Sequence, residues 1–267
     1  MGLTRVGVFG AGGRMGATVC AAVAAAADLE LVAAVDPAVA GTALSELGVA
    51  DTDITVSATA DALVAANAQV AVDFTVADAA RANLNWCAEQ SIHAVVGTTG
   101  FSSADLDDIR ARFSNGSANA LIAPNFAIGA VLLMRFAELA APHFETAEII
   151  ELHHDQKVDA PSGTAIHTAE RMAAASSDWA DDPTEKMVIE GARGARGAGG
   201  IPIHSVRLRG IVAHEEVILG STGQTLTVRH DSYDRTSFMP GVLLAVRKIS
   251  DLPGLTVGLD SLLDLRY

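Results

Sequence analysis

Two imidazoles and an ammonium stand within five residues of one another, at His153, His154 and Lys157. A histidine titrates near neutrality and suits general acid work, and a lysine adds a cation and, when burial lowers its pKa, a second proton donor. Just beyond them runs Asp159-Ala160-Pro161-Ser162-Gly163-Thr164, whose residue types make a turn into a helix. Ser162 or Thr164 can cap that helix, and Gly163 leaves its backbone N–H open to a ligand. A helix start with free N–H groups favours an anion. The combination reads as a pocket for a small carboxylate that must also be protonated. Neighbouring histidines on a strand point to opposite faces and chelate one ion poorly. No His-Glu-x-x-His helix or cysteine cluster accompanies them, so no metal is expected.

The elements that position these groups are legible on both sides. Ile149, Ile150 and Leu152 make the preceding stretch a strand, and Ala165, Ile166, Ala169, Met172 and Ala173 recur at helical spacing. The first half alternates strand and helix. Arg5–Phe9 reads as a buried strand, Gly10-Ala11-Gly12-Gly13-Arg14-Met15-Gly16 turns into a helix over 17–27, and a second strand over 29–35 ends at Asp36. This strand, glycine turn, helix, strand and acid order is that of a dinucleotide site, with the pyrophosphate against the helix start and Asp36 placed for the adenosine ribose hydroxyls. Further strands over 70–74, 93–96 and 120–123 end at Asp73-Phe74-Thr75, Gly97-Thr98-Thr99-Gly100 and Ala123-Pro124-Asn125-Phe126. In a parallel sheet those ends share one rim, where ligands bind.

After Phe126 the pattern changes. A long apolar helix over 127–141 stops at Pro142, and the glycine-rich 177–200 segment reads as a mobile loop whose Arg193 and Arg196 are solvated. Strand patterns over 203–208, 211–219 and 225–229 then run without intervening helices, followed by a helix over 237–249 and an apolar stretch over 255–265. The expected fold is α/β: a Rossmann-type parallel-sheet dinucleotide domain plus an α+β substrate and oligomerisation domain with an open mixed sheet. Such a sheet has edges and a face to cover, which oligomerisation does.

Composition narrows the function class. The chain has 267 residues, half of them hydrophobic, 24 glycines and a formal charge of −14. That charge disfavours nucleic acid and anionic membranes as partners. No apolar run approaches a membrane span and no signal-like segment opens the chain, so a cytoplasmic enzyme is expected. Cys20 and Cys87 sit in apolar helical patterns and read as reduced core thiols. Their position counts against an aspartate-semialdehyde type of dehydrogenase, which needs a nucleophilic cysteine in the substrate half. A dinucleotide-binding redox sensor would want a basic DNA-reading helix, and none is apparent.

The run from Glu151-Leu152-His153-His154 through Lys157 to Pro161-Ser162-Gly163-Thr164-Ala165 closely resembles the signature of the dihydrodipicolinate reductase family. The glycine turn, Gly97-Thr98-Thr99-Gly100, Ala123-Pro124-Asn125-Phe126 and the carboxy-terminal region extend the resemblance to nearly the whole chain. It implies NAD(P)H-dependent reduction of 4-hydroxy-tetrahydrodipicolinate to tetrahydrodipicolinate, in diaminopimelate and lysine biosynthesis. It further implies a homotetramer built through the late strands and a dinucleotide domain, 1–126 and 237–267, interrupted by a substrate domain, 127–236. The expected catalytic residues are His153 and Lys157. His154, Gly163 and Thr164 are expected to hold substrate carboxylates. Gly10 to Met15, Asp36, Gly97, Thr98, Thr99, Ala123, Pro124, Asn125 and Phe126 are expected on the cofactor. Family members that use NADPH well often carry a basic residue directly after the acid; here it is Pro37. NADH is therefore expected to be preferred and NADPH tolerated, with Arg14 as partial compensation.

Overall fold

The computed structural model describes residues 2–114 and 116–263. The chain falls into two compact units, one running to Phe126 and resuming at Phe238, the other spanning Ala127–Ser237.

The first unit is built on β1 (Thr4–Phe9), α1 (Arg14–Ala25), β2 (Leu29–Val35), a short α2 (Asp61–Ala65), β3 (Val70–Asp73), α3 (Ala77–Gln90), β4 (His93–Val96), α4 (Ser103–Ser114) and β5 (Ala120–Ile122). Val6, Val8, Val72, Val95 and Leu121 are fully buried, as expected of parallel strands covered on both faces. The sheet order β11-β5-β4-β3-β1-β2 includes a last strand, β11 (Leu255–Val257), formed by the carboxy-terminal segment. The chain leaves β1 for β2 on one side and then crosses to β3 on the other. The switch point therefore lies between β1 and β3, where an open α/β sheet binds its ligand. Gly10 and Thr75, which follow these two strands, are neighbours there: a Cβ on Gly10 would lie 2.9 Å from the Thr75 methyl.

The second unit contains α5 (Ile128–Ala140), β6 (Thr146–His153), α6 (Gly163–Ala175), β7 (Ala195–Arg196), β8 (Pro202–Arg207), β9 (Ala213–Ser221) and β10 (Gln224–Ser232). Its sheet has the order β10-β9-β6-β8-β7, mixed because β6 and β8 run parallel while the other pairs are antiparallel. Alternation sets two faces. Ala147, Ile149, Glu151, Val217 and Leu219 are buried on the side that carries α5 and α6. The opposite side mixes half-buried Ile150, Leu152 and Ile218 with Glu148, Glu216 and Arg229. It is less uniformly apolar than the strand pattern suggests.

The 177–200 segment departs from expectation at one arginine. Arg193 is paired with Glu148 of β6 and lies 3.3 Å from Asp182, so it is bridged and half-buried, whereas Arg196 is exposed. Gly194, with φ of +68°, makes this possible, since a side chain there would strike the Ile203 carbonyl at 2.5 Å.

The chain then returns to the first unit through α7 (Met239–Lys248) and β11 (Leu255–Val257), which pairs in parallel with β5. Asn119 pins this return: its amide donates to the Ile249 and Ser250 carbonyls and accepts from the Gly254 N–H. Asp264 and Leu265, at the end of the apolar stretch, lie outside the described residues. No helix among the described residues is long and apolar enough to cross a membrane.

Candidate active site

β6 alternates so that Glu151 and His153 point toward the helix-covered side, and the strand ends where His154 begins the loop. Glu151 has no solvent exposure. A buried carboxylate is costly unless its oxygens are filled by donors. Arg207, two residues along the neighbouring β8, supplies a two-pronged contact at 2.8 Å to each oxygen. The Ser162 N–H donates to Oε1 at 3.1 Å, and His153 Nδ1 lies 2.6 Å from Oε2. Burial works against the charge, but hydrogen bonds from Arg207, Ser205 and His153 outweigh it and hold the carboxyl below the usual range.

The contact fixes the histidine. A carboxylate accepts, so Nδ1 carries the proton and Nε2 is left as the atom that exchanges one. Burial draws the His153 imidazole below its ordinary value, more than the hydrogen bond to Glu151 raises it, and the charges of Lys157 and Arg207 act in the same direction as burial. His154 is exposed and has the opposite arrangement: its Nδ1 accepts the Gln156 N–H at 3.2 Å, which leaves Nε2–H as an outward donor. Lys157 Nζ is 2.8 Å from both oxygens of Asp159. A bound carboxylate would compete with Asp159 for it.

Ser162, the residue that ties Glu151 to the turn, is also the cap of α6: its hydroxyl accepts the Ala165 N–H at 3.2 Å. The cap takes the third N–H of the helix, and those of Gly163 and Thr164 have no hydrogen-bond partner among the described residues. A Cβ on Gly163 would meet nothing within 4 Å, and the first turn carries no acid. One buried carboxylate thus links His153 to an open helix start. The predicted residues His153, Gly163 and Thr164 are brought together. Glu151 and Arg207 are the residues that motif reasoning missed as parts of the site, and Ser162, one of the two expected caps, also ties the turn to Glu151.

The first unit holds the other predicted residues. A Cβ on Gly16 would lie 2.0 Å from the Gly10 carbonyl oxygen, and Gly10 has φ of +71°, so the turn closes tightly beneath α1. Gly13 caps α1 without a side-chain hydrogen bond, and no acid stands in its first turn. Asp36 is fixed beside this turn by the Gly12 and Ala38 N–H groups, each at 3.0 Å. A carboxylate offers about four acceptor positions, so room remains for hydroxyls. An open helix start with a fixed acid beside it fits the pyrophosphate and ribose of a dinucleotide.

On the rim, the predicted residues divide. Thr99 and Pro124 are exposed, but Thr98 is buried and donates its hydroxyl to the Thr75 carbonyl at 2.7 Å. Thr75 is itself held by buried Asp73, which accepts its N–H at 2.7 Å and its hydroxyl at 2.6 Å. Phe126 is 1% exposed and packs on Phe74, with ring centroids 5.5 Å apart. Phe74 covers Gly97 so closely that a Cβ there would be 2.0 Å from the ring. Thr98 and Phe126 shape the rim from behind, and their side chains do not face outward. Asp73, Phe74 and Thr75 carry more of this work than the predicted list allows.

The chain is similar over nearly its whole length to known proteins. The family model described as "Dihydrodipicolinate reductase, N-terminus" matches residues 4–126, and "Dihydrodipicolinate reductase, C-terminus" matches 129–263. The 4-hydroxy-tetrahydrodipicolinate reductase of Mycolicibacterium gilvum is 52% identical over 98% of this chain and 99% of its own length. That of Nocardia farcinica is also 52% identical, over 98% and 99%. A solved dipicolinate-bound dihydrodipicolinate reductase from Paenisporosarcina sp. TG-14 is 41% identical, covers 97% of this chain and 99% of that chain, and superposes with a TM-score of 0.87. An amine dehydrogenase from Mycobacterium smegmatis, at 16% identity and a TM-score of 0.66, covers 99% of this chain and 97% of that chain and shares the fold.

Replacing Glu151 with glutamine leaves Arg207 short of its countercharge and removes the anchor of His153. The variant is expected to lose about 3 kcal/mol of stability, the scale for breaking a buried ion pair. The pH dependence has a definite sign. Because the folded pKa of Glu151 is depressed, its contribution is complete above its ordinary value of 4.5 and is lost as pH falls through the folded value. Urea unfolding at several pH values checks this: the deficit of Glu151→Gln should be largest near neutrality and shrink in acid.

Proposed function

The chain belongs to the dihydrodipicolinate reductase family, and from that premise we propose that its second unit holds the substrate and moves the proton while its first unit holds the dinucleotide. The reaction is the pyridine-nucleotide-dependent reduction of 4-hydroxy-tetrahydrodipicolinate in diaminopimelate and lysine biosynthesis. The observation that carries the division is the coupling of His153 to the α6 start through Glu151, by contacts of 2.6 and 3.1 Å.

One ring carboxylate binds the Gly163 and Thr164 N–H groups and the Thr164 hydroxyl. The other binds His154 Nε2–H. The dipicolinate held by the solved relative supports a dicarboxylate ligand of this kind. Lys157 exchanges Asp159 for the anionic substrate and, as a second donor beside His153, helps to protonate the anion that develops on the ring. Once the 4-hydroxyl has left as water, the hydride adds to the ring and His153 Nε2 delivers the one proton that the reduced ring needs, with Glu151 stabilising the imidazolium from Nδ1. A bound nicotinamide supplies the hydride. In the first unit the backbone from Gly10 to Met15 holds the pyrophosphate and Asp36 the ribose, with Gly97, Thr99 and 123–125 forming the nicotinamide wall and Thr98 and Phe126 backing it. The helix-free face of the second sheet packs against further copies of the chain, giving a homotetramer.

His153→Ala and Lys157→Ala should each lower turnover by about two orders of magnitude, the scale of general acid–base groups. Both should leave NADH affinity, followed by fluorescence titration, unchanged. A proton donor must enter charged, and His153 has a folded pKa below its ordinary 6.5. As pH rises through that value the acid form is lost, so kcat/KM of the wild type should fall on a limb centred below pH 6.5.

Cofactor choice follows from the ribose end. Asp36 is followed by exposed Pro37, and Val76, at the start of α3, is 72% exposed where a basic side chain could have stood. A 2′-phosphate near Asp36 costs on the order of 1 kcal/mol, partly offset by exposed Arg14. NADH should therefore show a several-fold higher kcat/KM than NADPH in side-by-side assays, and a clear NADPH preference would contradict the assignment. Light scattering should give four times the 27.5 kDa chain mass at micromolar concentration; a stable monomer would contradict the tetramer.

A further inference from the structure

A second carboxyl group is buried on the same side of the second sheet and has no place in the mechanism above. Glu215 is 6% exposed and stands directly across the β6–β9 pair from Glu151. The two acids differ in what surrounds them. Glu151 has the donor set of an anion: both prongs of Arg207, the Ser162 N–H, Ser205 and His153. Glu215 has one hydrogen-bond partner among the described residues, the Thr168 hydroxyl at 2.6 Å, and no cation. Thr168 is fully buried on α6 and its hydroxyl also lies 3.0 Å from the Thr164 carbonyl oxygen. A hydroxyl has one proton to give and two lone pairs to accept with. If Glu215 is protonated it donates to Thr168, Thr168 donates to Thr164, and every contact is used. If Glu215 is ionised, a buried anion is left with a single donor beside another anion.

We propose that Glu215 is held as a neutral carboxylic acid and is a positioning residue for His153, because an uncharged Glu215 leaves Arg207 and His153 committed to the single anion Glu151. The groups that face it agree. From β6 it meets Glu151, and from α6 the neutral Thr168. From β10 it meets His230, whose imidazole burial draws below its ordinary pKa. Burial, opposed by Thr168 and aided by Glu151, pushes the Glu215 carboxyl up to about 7. Thr168 is one turn beyond Thr164 on α6, so the same hydrogen-bond chain reaches the proposed carboxylate site. The inference rests on the assignment of His153 as the proton-transferring group.

Glu215→Gln has the same shape and is permanently neutral, with an N–H for Thr168. Turnover of wild type, Glu215→Gln and Glu215→Ala would be measured with NADH and substrate from pH 5.5 to 9. At pH 6, Glu215→Ala should lose about tenfold and Glu215→Gln should recover to within about twofold of wild type. At pH 8.5 the glutamine variant should exceed wild type several-fold, because only wild type gains the second buried charge. Thermal midpoints should follow the linkage: with a raised folded pKa, the Glu215 contribution is full below 4.5 and is lost as pH rises through about 7. The wild-type midpoint should therefore fall between pH 5 and 8 relative to that of Glu215→Gln. Should the variants not fold, the infrared spectrum of wild type should lose the carbonyl band of one protonated carboxyl between pH 5.5 and 8.5. A tenfold loss in folded Glu215→Gln at pH 6, a midpoint difference constant across pH, or absence of that band would overturn the proposal. Full turnover in His153→Ala would instead defeat the assignment of His153, and leaves the midpoint and infrared results to decide Glu215 separately.

Discussion

A carboxylate with no access to water survives only where donors replace the water, and the second unit is arranged around supplying them to Glu151. β8 must lie parallel to β6 so that Arg207 comes level with His153 and its fork reaches back to Glu151. The turn after Lys157 must bring the Ser162 N–H to the same carboxylate, which seats the start of α6. His153 completes the set. Strand register, helix placement and imidazole tautomer thus meet at one acid. The pair of Arg207 and Glu151 adds little to stability when weighed against its desolvation, but breaking it leaves an uncompensated charge. What it contributes is geometry: a histidine that can turn neither its ring nor its tautomer.

The first unit solves a different problem with the same economy of parts. A dinucleotide needs an uncapped helix start, a fixed acid and a rim. The Gly10 to Gly16 turn provides the first, Gly12 and Ala38 fix Asp36, and buried Asp73 governs the rim through Thr75 and Thr98. Neither acid is near an arginine fork of the kind that holds Glu151. Backbone N–H groups of Gly12 and Ala38 hold Asp36, while the Thr75 N–H and hydroxyl and the Asn83 amide of α3 hold Asp73, so the turn and the loop after β3 are set by backbone and neutral side-chain donors.

What was legible in the sequence follows from this distinction. The glycine turn, Asp36, the strand ends and the run from His153 to Thr164 are local, and their chemistry is written in contiguous residues. Arg207 is not, since it joins the site only through strand pairing over 56 residues. Glu215 was hidden for a sharper reason. Glu215 and Glu216 are adjacent, and a strand sends one inward and the other outward according to register alone. The pairing of Glu215 with Glu151 decides it. Arg193 was misjudged in the same way: a glycine-rich neighbourhood suggests solvent, but Glu148 on the sheet was there to meet it. Among the expected rim residues, Thr98 and Phe126 sit behind the surface they were expected to form.

The central claim is that Glu151 holds His153 with its proton on Nδ1 and its Nε2 free to exchange. Nitrogen-15 NMR of histidine-labelled enzyme reads this directly, with His153→Asn to assign the signals. In the neutral ring at pH 8, His153 should show a protonated Nδ1 and a bare Nε2, opposite to His154, whose Nδ1 accepts the Gln156 N–H. In Glu151→Gln that preference should weaken toward the mixture of tautomers seen in a free imidazole. A His153 protonated at Nε2 in the wild type, or a tautomer unchanged by loss of the Glu151 charge, would contradict the account.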